Sequence, residues 1–163
     1  MAKWAKTWHS EATADVLGLA NIRSLRSRAV LEGPSDLLSG LPAEFAPLRE
    51  ASTALVAMTA ANEIRVKVQL AGQDSGDAKR LDEAMKIIID FSQVGLSLMR
   101  VEASSKSDTK GASQLELLDQ LDAVLDTVGT KAVDNRLVEA ATVITAVDAA
   151  KIAGNIVALF AQE

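Results

Sequence analysis

The chain has 163 residues, 48% hydrophobic and 24% charged, enough apolar material for one folded domain with a core, which excludes a disordered or fibrous chain. It has no cysteine, so a disulfide framework, a thiolate metal site and a cysteine nucleophile are excluded together. The net charge of −5 lies in residues 101–163, with five basic and ten acidic side chains, and this acidity argues against nucleic acid or an anionic membrane as partner.

Residues 1–12 are read as a loosely ordered N-terminal arm carrying Trp4, Trp8 and the single histidine, His9. The arm has no continuous apolar run of the signal-peptide kind. Export as part of a longer precursor stays open. Ala14–Ile22 fits either a strand ending at Asn21 or a helix from Glu11; Gly18 and Asn21 weaken a helix interior, which favours the strand. Pro34, Pro42 and Pro47 then cut the chain into short helical turns.

Ile64, Val66, Val68 and Leu70 alternate strictly with Arg65, Lys67 and Gln69, the period of a half-buried strand. Thr53–Ala60 is β-compatible, and Ala61-Asn62-Glu63 closes the hairpin. After Gly72 and Gly76 the spacing becomes helical through Ala78, Leu81, Ala84, Met85, Ile88 and Phe91, to about Arg100. Lys79 with Glu83, and Asp82 with Lys86, form i,i+4 pairs on its outer side. Residues 104–112 read as a polar linker, and Ser113-Gln-Leu-Glu116 as a capping box opening the next helix. Leu118, Leu121, Leu125 and Val128 form its predicted buried stripe, with Gly129 as its left-handed stop. A second hairpin turns at Asp134-Asn135 into a strand Leu137–Thr145. A last helix carries Ile152, Ile156, Val157 and Phe160. Residues 52–91 and 130–160 therefore share an order of strand, asparagine turn, strand and helix, which suggests a duplication.

The run Ala14-Asp-Val-Leu-Gly-Leu-Ala-Asn-Ile-Arg-Ser-Leu-Arg26, then Leu38-Ser-Gly-Leu-Pro42, the alternating hairpin and Asp77-Ala-Lys-Arg-Leu81 resemble uncharacterised bacterial proteins of planctomycete type, many of them exported. The resemblance spans roughly residues 14–91 as element order and apolar positions. It implies a topology and an envelope location, and supplies no activity and no site residues.

The residues carry no phosphate-binding loop and no two-histidine metal motif. A triad would need His9 as its base. The aromatics are only Phe45, Phe91, Phe160, Trp4 and Trp8, which speaks against a stacking platform. Glu116, Asp119, Asp122 and Asp126 share neighbouring faces of one helix, either a solvated surface or an acidic stripe for a cation or basic partner. Arg65 and Lys67 with Lys79 and Arg80 could form a small anion site, against a solvated strand face. The strongest signal is apolar excess: Ile87, Ile88, Ile89, Leu96, Leu98 and Met99 exceed one buried helix face.

The expectation is one α+β domain over residues 1–163: a two-layer, mainly antiparallel sheet of four to five strands packed by amphipathic helices. The functional expectation is a non-enzymatic binding or scaffold module without cofactor, metal or catalytic residues. Its candidate partner surface is Ile87, Ile89, Leu96, Met99, Trp4 and Trp8, between the apolar helix and the sheet. The partners expected are a protein, an apolar peptide or a second copy. The alternatives are a chaperone-like partner that binds a hydrophobic segment, and a carboxylate-dependent enzyme.

Overall fold

The structure, a computed structural model, describes residues 13–22, 46–105 and 109–161. The elements in chain order are β1 (Val16–Ala20), α1 (Ala46–Glu50), β2 (Thr53–Ala60), β3 (Glu63–Ala71), α2 (Asp77–Ser104), α3 (Thr109–Asp126), β4 (Gly129–Ala132), β5 (Leu137–Thr145) and α4 (Ala146–Phe160). The strands form one five-stranded sheet in the order β1-β2-β3-β5-β4, antiparallel throughout. This is the α+β architecture that the two hairpin patterns imply. Of residues 14–22, Val16–Ala20 form the strand, which ends just before Asn21. Trp4, Trp8, His9, Pro34 and Pro42, and with them the N-terminal arm, lie outside the described residues.

Register puts Ala54, Leu70 and Val138 in one row across the sheet, and Val56, Val68 and Ala140 in the next. Leu70, Val138 and Ala140 pack with Ala51, Leu81 and Met85 into the core, flanked by Leu48, Ala54, Val68 and Val128. The first two turns of α2 thus cover the centre of the sheet because Ala78, Leu81 and Met85 recur at helical spacing. The alternation in β3 does not divide core from water at its end: Gln69 faces away from α2 yet is buried, together with Thr53, Leu55, Ala57 and Glu139 on the same far face.

The loop into α2 is held from both sides. Gly72 N donates to Arg136 O at 2.7 Å and Gly76 N to Asn135 O at 2.8 Å, docking it on the turn between β4 and β5. Asp77 Oδ2 accepts from the backbone N of Gln73 and Asp74 at 2.9 and 2.8 Å, so the first residue of α2 folds the loop that precedes it. Gly72 fits because a Cβ there would stand 2.3 Å from the Asp77 Cβ. Gly76 has φ 105°, the left-handed region that a side chain disfavours. Gly76→Ala should therefore destabilise the fold by about 1–2 kcal/mol, read as a lower urea midpoint with an unchanged m-value.

The i,i+4 pairs form as expected, Lys86 Nζ to Asp82 at 2.6 Å and Lys79 to Glu83 at 4.0 Å. Several other expectations are corrected. α2 runs to Ser104 and α3 begins at Thr109, so Ser113 and Glu116 lie inside a helix and the linker is shorter than residues 104–112. Gly129 opens β4, and among the described glycines only Gly76 has positive φ. Leu118 is buried in α3, whereas Leu121 is exposed. α4 starts on a threonine N-cap: Thr145 Oγ1 accepts from Asp148 N at 3.1 Å and donates to the Asp148 carboxylate at 2.6 Å.

The strand–strand–helix order occurs twice, as β2-β3-α2 and β4-β5-α4. Aligning Asn62 with Asn135 offsets the two units by an odd number of residues, yet even-numbered positions face the helices in both β3 and β5. Aligned side chains then fall on opposite faces. The correspondence is one of element order rather than side-chain pattern.

Candidate functional site

α2 is 28 residues long, and its fully buried residues are Ala78, Leu81, Ala84, Met85 and, near its end, Ala103. Between Met85 and Ala103 the helix has left the sheet and is held by α3. α3 returns antiparallel to it: Gln93 Nε2 donates to Asp126 at 2.7 Å, and Arg100 reaches Asp119 at 2.8 Å and Asp122 at 3.0 Å. The fork of Arg100 bridges two carboxylates one turn apart, a geometry that lysine could not supply. The hydrogen bond that Arg100 donates to Asp122, opposed by burial, raises the guanidinium pKa above its ordinary value.

The side of α2 turned to α3 carries Ile89, Ser92, Leu96 and Arg100, all partly buried. The opposite side carries Ile87, Phe91, Val94, Leu98 and Val101, exposed from 36% at Ile87 to 71% at Val101. Their spacing alternates four and three, so the 3.5-residue average keeps them in one nearly straight seam. Ile88 and Met99, 37% and 51% exposed, widen it on one flank. Asp90, exposed three residues after Ile87 and four before Val94, borders the seam on the other flank.

Of the six residues named from sequence, Ile87 and Met99 lie on this outer surface, Ile89 and Leu96 turn inward, and Trp4 and Trp8 lie outside the described residues. Phe91, expected in the buried stripe, is 67% exposed, because the buried line drifts through Ile89, Ser92 and Leu96 instead. Val94 and Val101 were not singled out by apolar excess. Their four-three spacing with Ile87, Phe91 and Leu98 was the signal that would have found them. The expected groove between α2 and the sheet is filled by Leu81 and Met85. A depression beside it, lined by Pro47, Ala51, Gly72, Asp77, Arg80 and Leu81, is too shallow to enclose a ligand.

The anion site does not assemble. Arg65 and Lys67 stand on the far face of the sheet, where Arg65 binds Glu63 and Lys67 lies 3.9 Å from Glu139, while Arg80 on α2 faces Asp77 at 3.8 Å. The acidic stripe is likewise occupied in part, since Asp119 and Asp122 hold Arg100 and Asp126 holds Gln93. Among the described residues no group of three or more histidines, aspartates or glutamates could hold a metal ion.

Two carboxylates have displaced pKa values. The Lys86 ammonium beside Asp82 is the main cause that holds this carboxyl below the usual aspartate range; burial opposes it and the Thr130 hydroxyl assists. For Glu139, burial pushes the carboxyl up, but hydrogen bonds from Gln69 and Lys131 with the charges of Lys67 and Lys131 outweigh it, and the pKa lies below the ordinary value. Gln69 Nε2 donates to Glu139 Oε2 at 2.8 Å and Lys131 Nζ approaches Oε1 at 3.0 Å. Thr130 belongs to the face that α2 covers and Glu139 to the other, so the two acids cannot share a substrate.

No family model, no curated protein and no solved structure matches the chain.

Proposed function

We propose that this protein is a non-enzymatic binding or scaffold module whose docking surface is the outer seam of α2. The observation that carries this reading is the unbroken line Ile87, Phe91, Val94, Leu98 and Val101, exposed on a helix whose other side is already packed. Leaving it in water forfeits the hydrophobic term that burial would supply, and contiguous surfaces of this kind mark sites of association. The separation of Asp82 from Glu139 by the thickness of the sheet supports the same reading over carboxylate catalysis, which needs two acids to converge.

Placing a photo-crosslinking residue at position 98, by Leu98→p-benzoylphenylalanine, tests the surface against the same substitution at the exposed Glu116 of α3. The expected result is a discrete adduct from position 98, abolished by excess unlabelled protein, and little or none from position 116. A diffuse ladder, or equal yields from both positions, would overturn the reading.

A further inference from the structure

We infer that the occupant of this seam is a second copy of the chain, its α2 crossing the first antiparallel at Val94 and Gly95; the inference rests on the docking role proposed for α2. The seam is close to self-complementary about Val94. Ile87 stands seven residues before it and Val101 seven after, Phe91 three before and Leu98 four after. An antiparallel twofold pair therefore sets Ile87 of each copy against Val101 of the other and Phe91 against Leu98, large against medium along the whole contact. Such an isologous arrangement closes on itself and leaves no second patch to propagate. The residues are stiff β-branched and γ-branched aliphatics with one Phe, the composition of a specific helix interface, rather than the methionine-rich surface of a promiscuous binder.

Gly95 supplies an independent observation. It lies in the middle of a 28-residue helix, where glycine is less favourable than alanine. A Cβ on it would meet nothing within 4 Å in its own chain. Neither a turn, a positive φ nor a close internal contact therefore accounts for it. Gly154 of α4 is equally open, so openness alone does not single Gly95 out; a position without a side chain next to Val94 does leave room for two helix backbones to come together. The exposed area agrees in size. With a large apolar side chain presenting on the order of 150–200 Å² when free, the seven residues of the seam and its flank offer roughly 600–700 Å². Two copies would bury at most about 1,200–1,400 Å² between them, which reaches the lower end of stable specific interfaces.

The test is the mass of the full chain by sedimentation velocity and light scattering between about 1 and 200 μM, where a mass-action dimer shows its concentration dependence. The expected result is a dimer. Val94→Glu should give a monomer with an unchanged helical spectrum, since this side chain is 56% exposed in the single chain. Gly95→Leu should weaken association by about tenfold or more while a dilute sample melts no lower than the parent, because the helix itself favours leucine over glycine. A dimer indifferent to both substitutions would overturn the assigned interface. A monomer at every concentration overturns the second copy as occupant: if position 98 still yields a saturable adduct with another molecule, the docking reading survives, and if it yields none, both fall.

Discussion

Leu81→Ala should destabilise the protein by about 3 kcal/mol, within the 2–5 kcal/mol typical of deleting a buried leucine, and lower the melting temperature by roughly 6–12 °C for a chain of this size. Leu81 is 1% exposed and stands where α2 meets the sheet, in contact with the cluster of Ala51, Leu70, Met85, Val138 and Ala140. Its removal leaves a cavity between two rigid layers that cannot collapse around it. Urea unfolding should show a lower midpoint with the same m-value. Leu98→Ala on the same helix, 68% exposed, should change the stability of a dilute monomer by no more than about 0.5 kcal/mol. The contrast separates the half of α2 that builds the fold from the half that presents a surface. Equal losses from the two substitutions would contradict that division.

Glu139→Ala should cost about 2 kcal/mol near neutral pH, since the buried Gln69 amide loses its acceptor and the far face of the sheet loses its only described link between β3, β4 and β5 side chains. Lys131 is mostly exposed and regains water, so the loss falls chiefly on Gln69. The effect is pH-dependent in one direction. The folded-state pKa of Glu139 lies below its ordinary value, so its stabilising contribution is complete above the unfolded pKa of about 4.3 and is lost as pH falls through the folded one. The stability gap between the parent and Glu139→Gln should therefore be constant from pH 5 to 7 and narrow in more acidic solution. A gap that widens on acidification would show that the carboxylate is not the stabilised form. Asp82, lowered by Lys86, titrates in the same sense, and a parallel series on Asp82→Asn separates the two contributions.

The hairpin through Ile64–Leu70 was legible because a strict two-residue alternation leaves a strand little choice of register. The early strand was legible from Gly18 and Asn21, which make a poor helix interior. The far face was not: nothing in Arg65, Lys67 and Gln69 distinguishes polar side chains in water from a buried amide that donates to a buried glutamate on the next strand. The outer seam of α2 was half legible. Its apolar excess was visible, but whether Phe91 or Leu96 faces the core depends on the rotation of the helix over the sheet. That rotation is set by Leu81 and Met85, about two to four turns earlier, and by the Arg100 clamp from α3. Periodicity gives an axis of division, not the side on which the neighbours stand.

The outermost strands bear on how copies of this chain could join. β1 has five residues and β4 four, each about half the length of the strand it borders, and β4 carries Lys131 beside an adjoining turn fixed by the Asp134 carboxylate. Borders this brief offer few free amides and carbonyls to an incoming strand, and a lysine there discourages one further. Growth of the sheet into a fibre is thereby discouraged at both margins, which leaves the helical layer as the favoured route to assembly.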